Sequence, residues 1–278
     1  MKPLYVSDLD GTLMRSDKSI SADSAEILNR LIGQGVCFTV ATARTIRSAS
    51  RIIRDIRFRL PVITLNGTVL SDAETERTVE AALFSPGEVS QLRRILHGHC
   101  ASAVVKAFFG DELHRTYLRS ADNPGFSAYL EEQGADPFLI GVETEDELFA
   151  GDVCYLSLIA PKEDLLPIRD KAAQAGSWEI LFQKDTYLDN YWLEIFPKGS
   201  SKAEAMRKLM KRCGCDRLVV FGDSVNDLSG FRIADECYAV RNASDELKSA
   251  ATAVLASNDE DAVARWLLTH AVPSPAGK

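Results

Sequence analysis

Five residues, Asp8-Leu9-Asp10-Gly11-Thr12, constrain this chain more than any other stretch. They follow Leu4-Tyr5-Val6, an apolar run that reads as a buried strand. In extended backbone, residues i and i+2 face the same side, so both carboxylates are expected to point into one space where the strand ends. There they repel each other unless a cation sits between them or one is protonated. Gly11 lets the chain turn behind them and leaves backbone N–H groups free to face an anion. A divalent metal next to a phosphate satisfies all of these groups at once.

Two further apolar runs end in polar residues of the same kind. Phe38-Thr39-Val40-Ala41 runs into Thr42, and Leu218-Val219-Val220-Phe221 runs into Gly222-Asp223-Ser224-Val225-Asn226-Asp227. Between residues 1 and 82 the pattern is β-α-β-α-β. Helices are expected over about Ala22 to Ile32 and Thr45 to Ile56, and a third strand over Pro61 to Leu65, before the turn signal Asn66-Gly67. Strands alternating with helices predict an α/β fold with a doubly wound, mostly parallel sheet. Such sheets bind ligands beyond the carboxyl ends of their strands, where Asp8, Thr42 and Asp223 fall.

The middle of the chain changes character. Ser85-Pro86-Gly87-Glu88 opens a helix with a capping box. Strand-like runs follow at about Ala103 to Phe109 and His114 to Leu118, then a helix after Asn123-Pro124. A strand near Phe138 to Val142, a short helix after Thr144 and a strand over Val153 to Ala160 come next. A helix to about Ala175 and strands over Trp178 to Gln183 and Tyr191 to Phe196 complete the order αββ-αβαβ-αββ. With its own apolar strands and helices, residues 83–196 are expected to form an inserted α+β domain. Residues 1–82 and 197–278 then form the α/β core. Ser201-Lys202-Ala203-Glu204 reads as a second capping box, opening a helix that Gly214 ends.

Asp8, Thr42, Lys202 and the Asp223/Asp227 pair, each at a strand mouth or helix start, resemble the four motifs of the haloacid dehalogenase superfamily of phosphohydrolases. The resemblance covers nearly the whole chain and is best to the Cof-type branch, whose class IIB cap lies between the second and third motifs. It implies a phosphatase of a small phosphorylated metabolite, a sugar phosphate first among them, with Mg²⁺ as cofactor. A phosphomutase or other phosphotransferase, which returns the phosphoryl group to substrate, is the nearest alternative. A non-catalytic binding protein on the same fold is a further one, although Asp8, Asp10, Lys202 and Asp223 are all retained. Residues 83–196 would be the cap over the Asp8 site, excluding bulk water and choosing the leaving group.

In this reading Asp8 is the nucleophile that forms an aspartyl-phosphate. Asp10 protonates the leaving oxygen and then deprotonates water; its backbone carbonyl binds the metal. Asp8 and Asp223 supply metal carboxylates, and Asp227 binds the metal or orients its waters. Mg²⁺ prefers such oxygen ligands. Thr42 and Lys202 hold the phosphoryl group, aided by a helix N-terminus; Lys198 competes with Lys202 for this role. Arg44, Asn66, Asn226 and Asn242 form a second tier of phosphate or substrate contacts, the asparagines being equally readable as turn or cap residues. Two departures from the Cof-type pattern concern substrate contacts: Ala43 stands where Gly is usual before Arg44, and Val240-Arg241 stands before Asn242 in place of Met-Gly.

The bulk numbers exclude other classes. Of 278 residues, 46% are hydrophobic and 26% charged, as in ordinary globular proteins. A net charge of -8 argues against a nucleic-acid surface. No apolar run approaches the roughly 18 residues that span a bilayer. No export signal is visible, and the six cysteines are scattered, so a cytoplasmic location with reduced thiols is expected. Cys37 and Cys154 read as buried thiols, Cys213-Gly-Cys215 as a helix end, and His97-Gly98-His99-Cys100 as a helix end beside a favourable dipole. Arg47, Arg51 and Arg54 read as a solvated helix face. The tail from Pro273 is expected to be disordered. Nothing in the sequence fixes the oligomeric state.

Overall fold

A computed structural model describes residues 1–99, 102–120, 124–176, 178–184 and 190–273. Cys100, Asn123 and the tail beyond Pro273 lie outside them. In chain order, the first part contains β1 (Pro3–Ser7), α1 (Ala22–Gly33), β2 (Cys37–Val40), α2 (Ile46–Ile53), β3 (Val62–Thr64), β4 (Val69–Ser71) and β5 (Thr78–Ala81). The middle contains α3 (Pro86–Leu96), β6 (Ala103–Phe109), β7 (Glu112–Leu118), α4 (Pro124–Gln133), β8 (Leu139–Val142), α5 (Glu145–Leu148), β9 (Asp152–Ala160), α6 (Lys162–Ala175), β10 (Trp178–Lys184) and β11 (Tyr191–Pro197). The last part contains α7 (Lys202–Cys213), β12 (Arg217–Gly222), α8 (Leu228–Phe231), β13 (Glu236–Ala239), α9 (Asp245–Ala250), β14 (Ala253–Val254) and α10 (Ala262–His270).

The chain divides into two compact units, Met1–Glu80 with Ser200–Lys278, and Ala81–Gly199. The first holds a five-stranded sheet of order β14-β13-β12-β1-β2, parallel throughout. Its central strand β1 is buried at every position, as an all-apolar run in a sheet covered on both faces must be. Leu28 and Ile32 of α1, Leu209 of α7 and Leu267 of α10 join Leu4, Val6, Phe38 and Val220 in one apolar core. The expected third strand departs from the parallel sheet. Residues Val62–Thr64 touch it through a single bridge, Ala41 to Ile63, and pair antiparallel with β4 in a separate sheet of order β3-β4-β5. The short turn through Asn66-Gly67 explains this, because it returns the chain at once beside β3.

The second unit has its own six-stranded sheet, order β10-β11-β9-β6-β7-β8, and its own core around Leu92, Val105, Leu156, Leu165 and Ile195. None of its strands joins the sheet that carries β1 and β12. Ser85 and Glu88 form the expected capping box of α3. At α7 only half of the second box forms: Ser201 accepts from Glu204 N, while the Glu204 carboxylate pairs with Arg207. No helix among the described residues is long and apolar enough to cross a membrane.

Candidate active site

Parallel register sets the site. Ser7 lies opposite Phe221 on one side and Val40 on the other, so β1, β12 and β2 end together. Asp8 then follows β1, Asp223 follows β12, and Thr42 lies two residues past β2. Asp8 N still donates to Phe221 O at 2.9 Å, which holds the carboxylate at the strand mouth.

Lys202, the first residue of α7, is 1% exposed and reaches into this space. Its Nζ donates to Asp8 Oδ1 at 2.6 Å and to Asp227 Oδ1 at 2.7 Å. The competing Lys198 is exposed. Asp227 also accepts through Oδ2 from Asp223 N at 3.1 Å and Ser224 N at 3.3 Å, closing the loop after β12 on itself. Asp223 accepts from Thr12 Oγ1 at 3.0 Å, a bond between the first and last motifs. Two glycines make room for these carboxylates. A Cβ at Gly11, whose φ is +71°, or at Gly222 would lie 2.6 Å from Oδ2 of Asp223 or Asp227 respectively.

The carboxylates of Asp8, Asp223 and Asp227 converge, with ligand atoms all within 4.8 Å of one another. Three hard oxygen donors in one place fit a magnesium-type cation. The electrostatics agree. Burial pushes the Asp8 carboxyl well above the usual range; Lys202 opposes this, and Asp227, Asp223 and Asp10 add to it. Burial and then Asp227 push Asp223 up to about 7, against Thr12 and Lys202. Burial alone would lower Lys202, but Asp227 and Asp8 together hold its ammonium above the usual range.

Asp10 is placed differently from the expectation that it shares a space with Asp8. Strand β1 ends at Ser7, and Leu9–Leu13 form a helical turn broken at Asp10 and Gly11, so the alternation of extended chain no longer applies. The Asp10 carboxylate faces Arg44, which donates from Nε at 3.0 and 2.8 Å and from Nη2 at 2.6 Å. It stands outside the converging trio, so as a metal-ligand candidate Asp10 has only its main-chain carbonyl to offer. Thr42 Oγ1 lies 3.5 Å from Asp10 Oδ2 and accepts from Arg44 N at 3.1 Å. Arg44 is held in turn by Ser48 Oγ at 2.9 Å.

Among the remaining candidates, buried Asn66 adopts a left-handed conformation, φ +52°, and donates its backbone N–H to Thr42 O at 3.0 Å. Asn226 Oδ1 accepts from Ser224 Oγ at 2.7 Å. Asn242 ties loops together, donating to Gly11 O at 2.7 Å and accepting from Asn258 N at 3.1 Å. Its amide braces the Asp10-Gly11 turn. Thr12 and Ser48 carry no expectation from the sequence; Thr12 closes the opening motif and Ser48 follows Arg44 by four residues, spacings that a search for hydroxyl partners could have used. Cys37 is half-buried at the start of β2, not sealed inside it, because the sheet edge there is open to the chain terminus.

An acidic trio bridged by a buried lysine, at the carboxyl ends of parallel strands, marks an α/β enzyme of the phosphoryl-transfer class. The chain belongs to the haloacid dehalogenase-like hydrolases: the family profile matches residues 5–267. It is a phosphatase of that superfamily. It is 26% identical to 5-amino-6-(5-phospho-D-ribitylamino)uracil phosphatase YitU of Bacillus subtilis, over 96% of this chain and 97% of that one. It is 27% identical to the HMP-PP phosphatase of Cronobacter sakazakii, over 99% and 97%. A haloacid dehalogenase-like hydrolase structure from B. subtilis superposes with a TM-score of 0.77 over 97% of this chain and 99% of that one, at 23% identity.

Proposed function

We propose that this enzyme hydrolyses a small phosphate monoester, with a sugar or polyol phosphate first among substrates, in a Mg²⁺-dependent reaction through an aspartyl-phosphate at Asp8. The observation that carries the reading is Lys202 bridging Asp8 and Asp227, both buried, at 2.6 and 2.7 Å. An ordinary surface lysine has no reason to be buried between two carboxylates, whereas a site built for a phosphoryl group does. The polyol preference draws support from YitU, whose name gives a phosphoribityl substrate.

Asp8, Asp223 and Asp227, with the Asp10 carbonyl, would hold the Mg²⁺, which when bound neutralises charge on the phosphoryl oxygens. A carboxylate oxygen of Asp8 attacks phosphorus and the bond to the leaving oxygen breaks. Asp10 gives that oxygen a proton. Asp10 then takes a proton from water, whose oxygen attacks phosphorus, freeing the Asp8 carboxylate and inorganic phosphate. Lys202 and Thr42 steady the phosphoryl oxygens; Arg44 orients Asp10. Asn66 and Asn226 line the loops that shape the phosphate subsite, and Asn242 braces them.

Residues 81–199 serve as the cap that selects the leaving group, a role supported by their separate sheet and core. The location is the cytoplasm, in keeping with thiols that form no disulfide among the described residues. The test is phosphate release over a panel of phosphorylated metabolites, with Mg²⁺ and with chelator. Asp8→Asn should abolish release while leaving the fold intact. Near-normal release from Asp8→Asn, or full activity in excess chelator, would overturn the reading.

A further inference from the structure

Three cysteines from distant parts of the sequence meet at the end of the core sheet opposite Asp8. Cys37 opens β2, level with Leu4 near the start of β1, whereas Asp8 follows the last residue of β1. Cys213 closes α7, and Cys215 lies two residues before β12. The chain's own N-terminus runs beside them: Asp216 N donates to Lys2 O at 3.0 Å, and Lys2 Nζ to Cys213 O at 2.6 Å. The side chains of Cys215 and Cys37 are hydrogen-bonded to each other. Cys37, Cys213 and Cys215 are all half-buried, so small reagents reach them. Cys154 differs, being fully buried with its Sγ on Lys106 O at 3.4 Å.

We propose that Cys37 and Cys215 form a modification site, a dithiol that closes to a disulfide by exchange with a low-molecular-weight disulfide. The site is separate from the aspartate cluster and from everything the phosphatase reaction uses. Cys37, as thiolate, attacks one sulfur of the reagent, whose S–S bond breaks and releases one small thiolate. Cys215 then gives its proton to solvent and attacks the Cys37 sulfur of the mixed disulfide, releasing the second small thiolate. Two protein thiols and one small disulfide become one protein disulfide and two small thiols. The two electrons lost by the protein are those gained by the reagent.

The order follows from the surroundings. Burial, then the Cys37 neighbour, push the Cys215 thiol up to about 12, so it stays protonated and unreactive until a mixed disulfide is already against it. Cys213 is also raised, by burial first. It sits across Gly214 from Cys215 and is excluded from the thiol pair by direction, since Cys215 turns to Cys37. Gly214 is in the left-handed conformation, and the turn it makes between α7 and β12 gives Cys215 room to close on Cys37 without moving the sheet. A shared metal fits less well. Among the described residues the acidic trio converges within 4.8 Å, and the three thiols do not.

The experiment incubates the reduced full-length protein with oxidised glutathione, alkylates remaining thiols and maps peptides without reduction. The expected product is a Cys37–Cys215 cross-link that dithiothreitol removes, with two alkylatable thiols lost and a higher melting temperature in the oxidised form. Cys213→Ser should still close. Cys215→Ser should stop at a glutathione adduct on Cys37. Glutathione adducts that accumulate on the unaltered protein without a cross-link, a cross-link between another pair, or loss of the link in Cys213→Ser would each overturn the assignment.

Discussion

Arg44 holds both carboxylate oxygens of Asp10, reaching across thirty-four residues of sequence with Nε at 3.0 and 2.8 Å and Nη2 at 2.6 Å. A planar fork on a carboxylate fixes direction as well as charge. The Asp10 side chain is 43% exposed, so a substrate can reach the oxygen that Arg44 orients. Asp10→Asn should slow turnover of poor leaving groups about 100-fold or more, the usual scale for losing an acid/base group. The defect should shrink for an aryl phosphate, whose leaving group departs without a proton. Arg44→Ala should slow both substrates alike, because it loosens Asp10 without removing its proton. Steady-state rates on the two substrates, with a pre-steady-state burst to separate slow phospho-enzyme breakdown, check this. Equal losses for both leaving groups in Asp10→Asn would remove Asp10 from the acid role.

Lys202→Ala should be among the most destabilising single changes in the core. It leaves Asp8 and Asp227 buried without their shared cation, a loss on the order of 3–5 kcal/mol. Protonation can relieve the stranded carboxylates, so the loss should be smaller at pH 5 than at pH 8. Urea unfolding at the two pH values measures it. A stability change below about 1 kcal/mol at pH 8 would mean that the bridge contributes little to the fold.

Stability of the metal-free protein should fall as pH rises. Asp223 has a folded-state pKa near 7 against an ordinary 3.8. A raised carboxyl favours the folded state fully below about pH 4, and that contribution is lost as pH rises through 7. The span corresponds to at most about 4 kcal/mol, and Asp8 shifts in the same sense. Mg²⁺ should reverse the trend, raising the melting temperature more at pH 8 than at pH 5, since it binds the ionised trio. Melting scans in chelator and in Mg²⁺ across pH 4 to 8 test this. A metal-free melting temperature that rises through this window, or Mg²⁺ with no effect at pH 8, would contradict it.

Much of the site was legible because parallel strands deliver their ends to one edge. Asp8, Thr42 and Asp223 needed only the apolar runs before them. Lys202 was readable from the helix start it occupies. The Asp10–Arg44 pair was not, because the turn that redirects Asp10 depends on backbone angles at Asp10 and Gly11 that no periodicity encodes. Thr12 reaching Asp223, 211 residues away, is likewise a product of the fold. In the sheets, β6 was bounded to the residue, being a long apolar run with a Gly-Asp turn after it. The strands β4 and β14 are too short to show a pattern, β5 is largely exposed, and β13 opens on a glutamate. The pairing of Val62–Thr64 with β4 was missed because a three-residue apolar strand fits either neighbour.

The central claim is that the phosphoryl group passes through Asp8. The direct measurement mixes the enzyme with an aryl phosphate in Mg²⁺, quenches in acid within the first turnover, reduces with borohydride and maps the peptides. Reduction converts an aspartyl-phosphate to homoserine, and unmodified aspartate is untouched. The account predicts homoserine at residue 8 alone, and none in Asp8→Asn. Homoserine at Asp10, Asp223 or Asp227, or full phosphate release with residue 8 never modified, would contradict it.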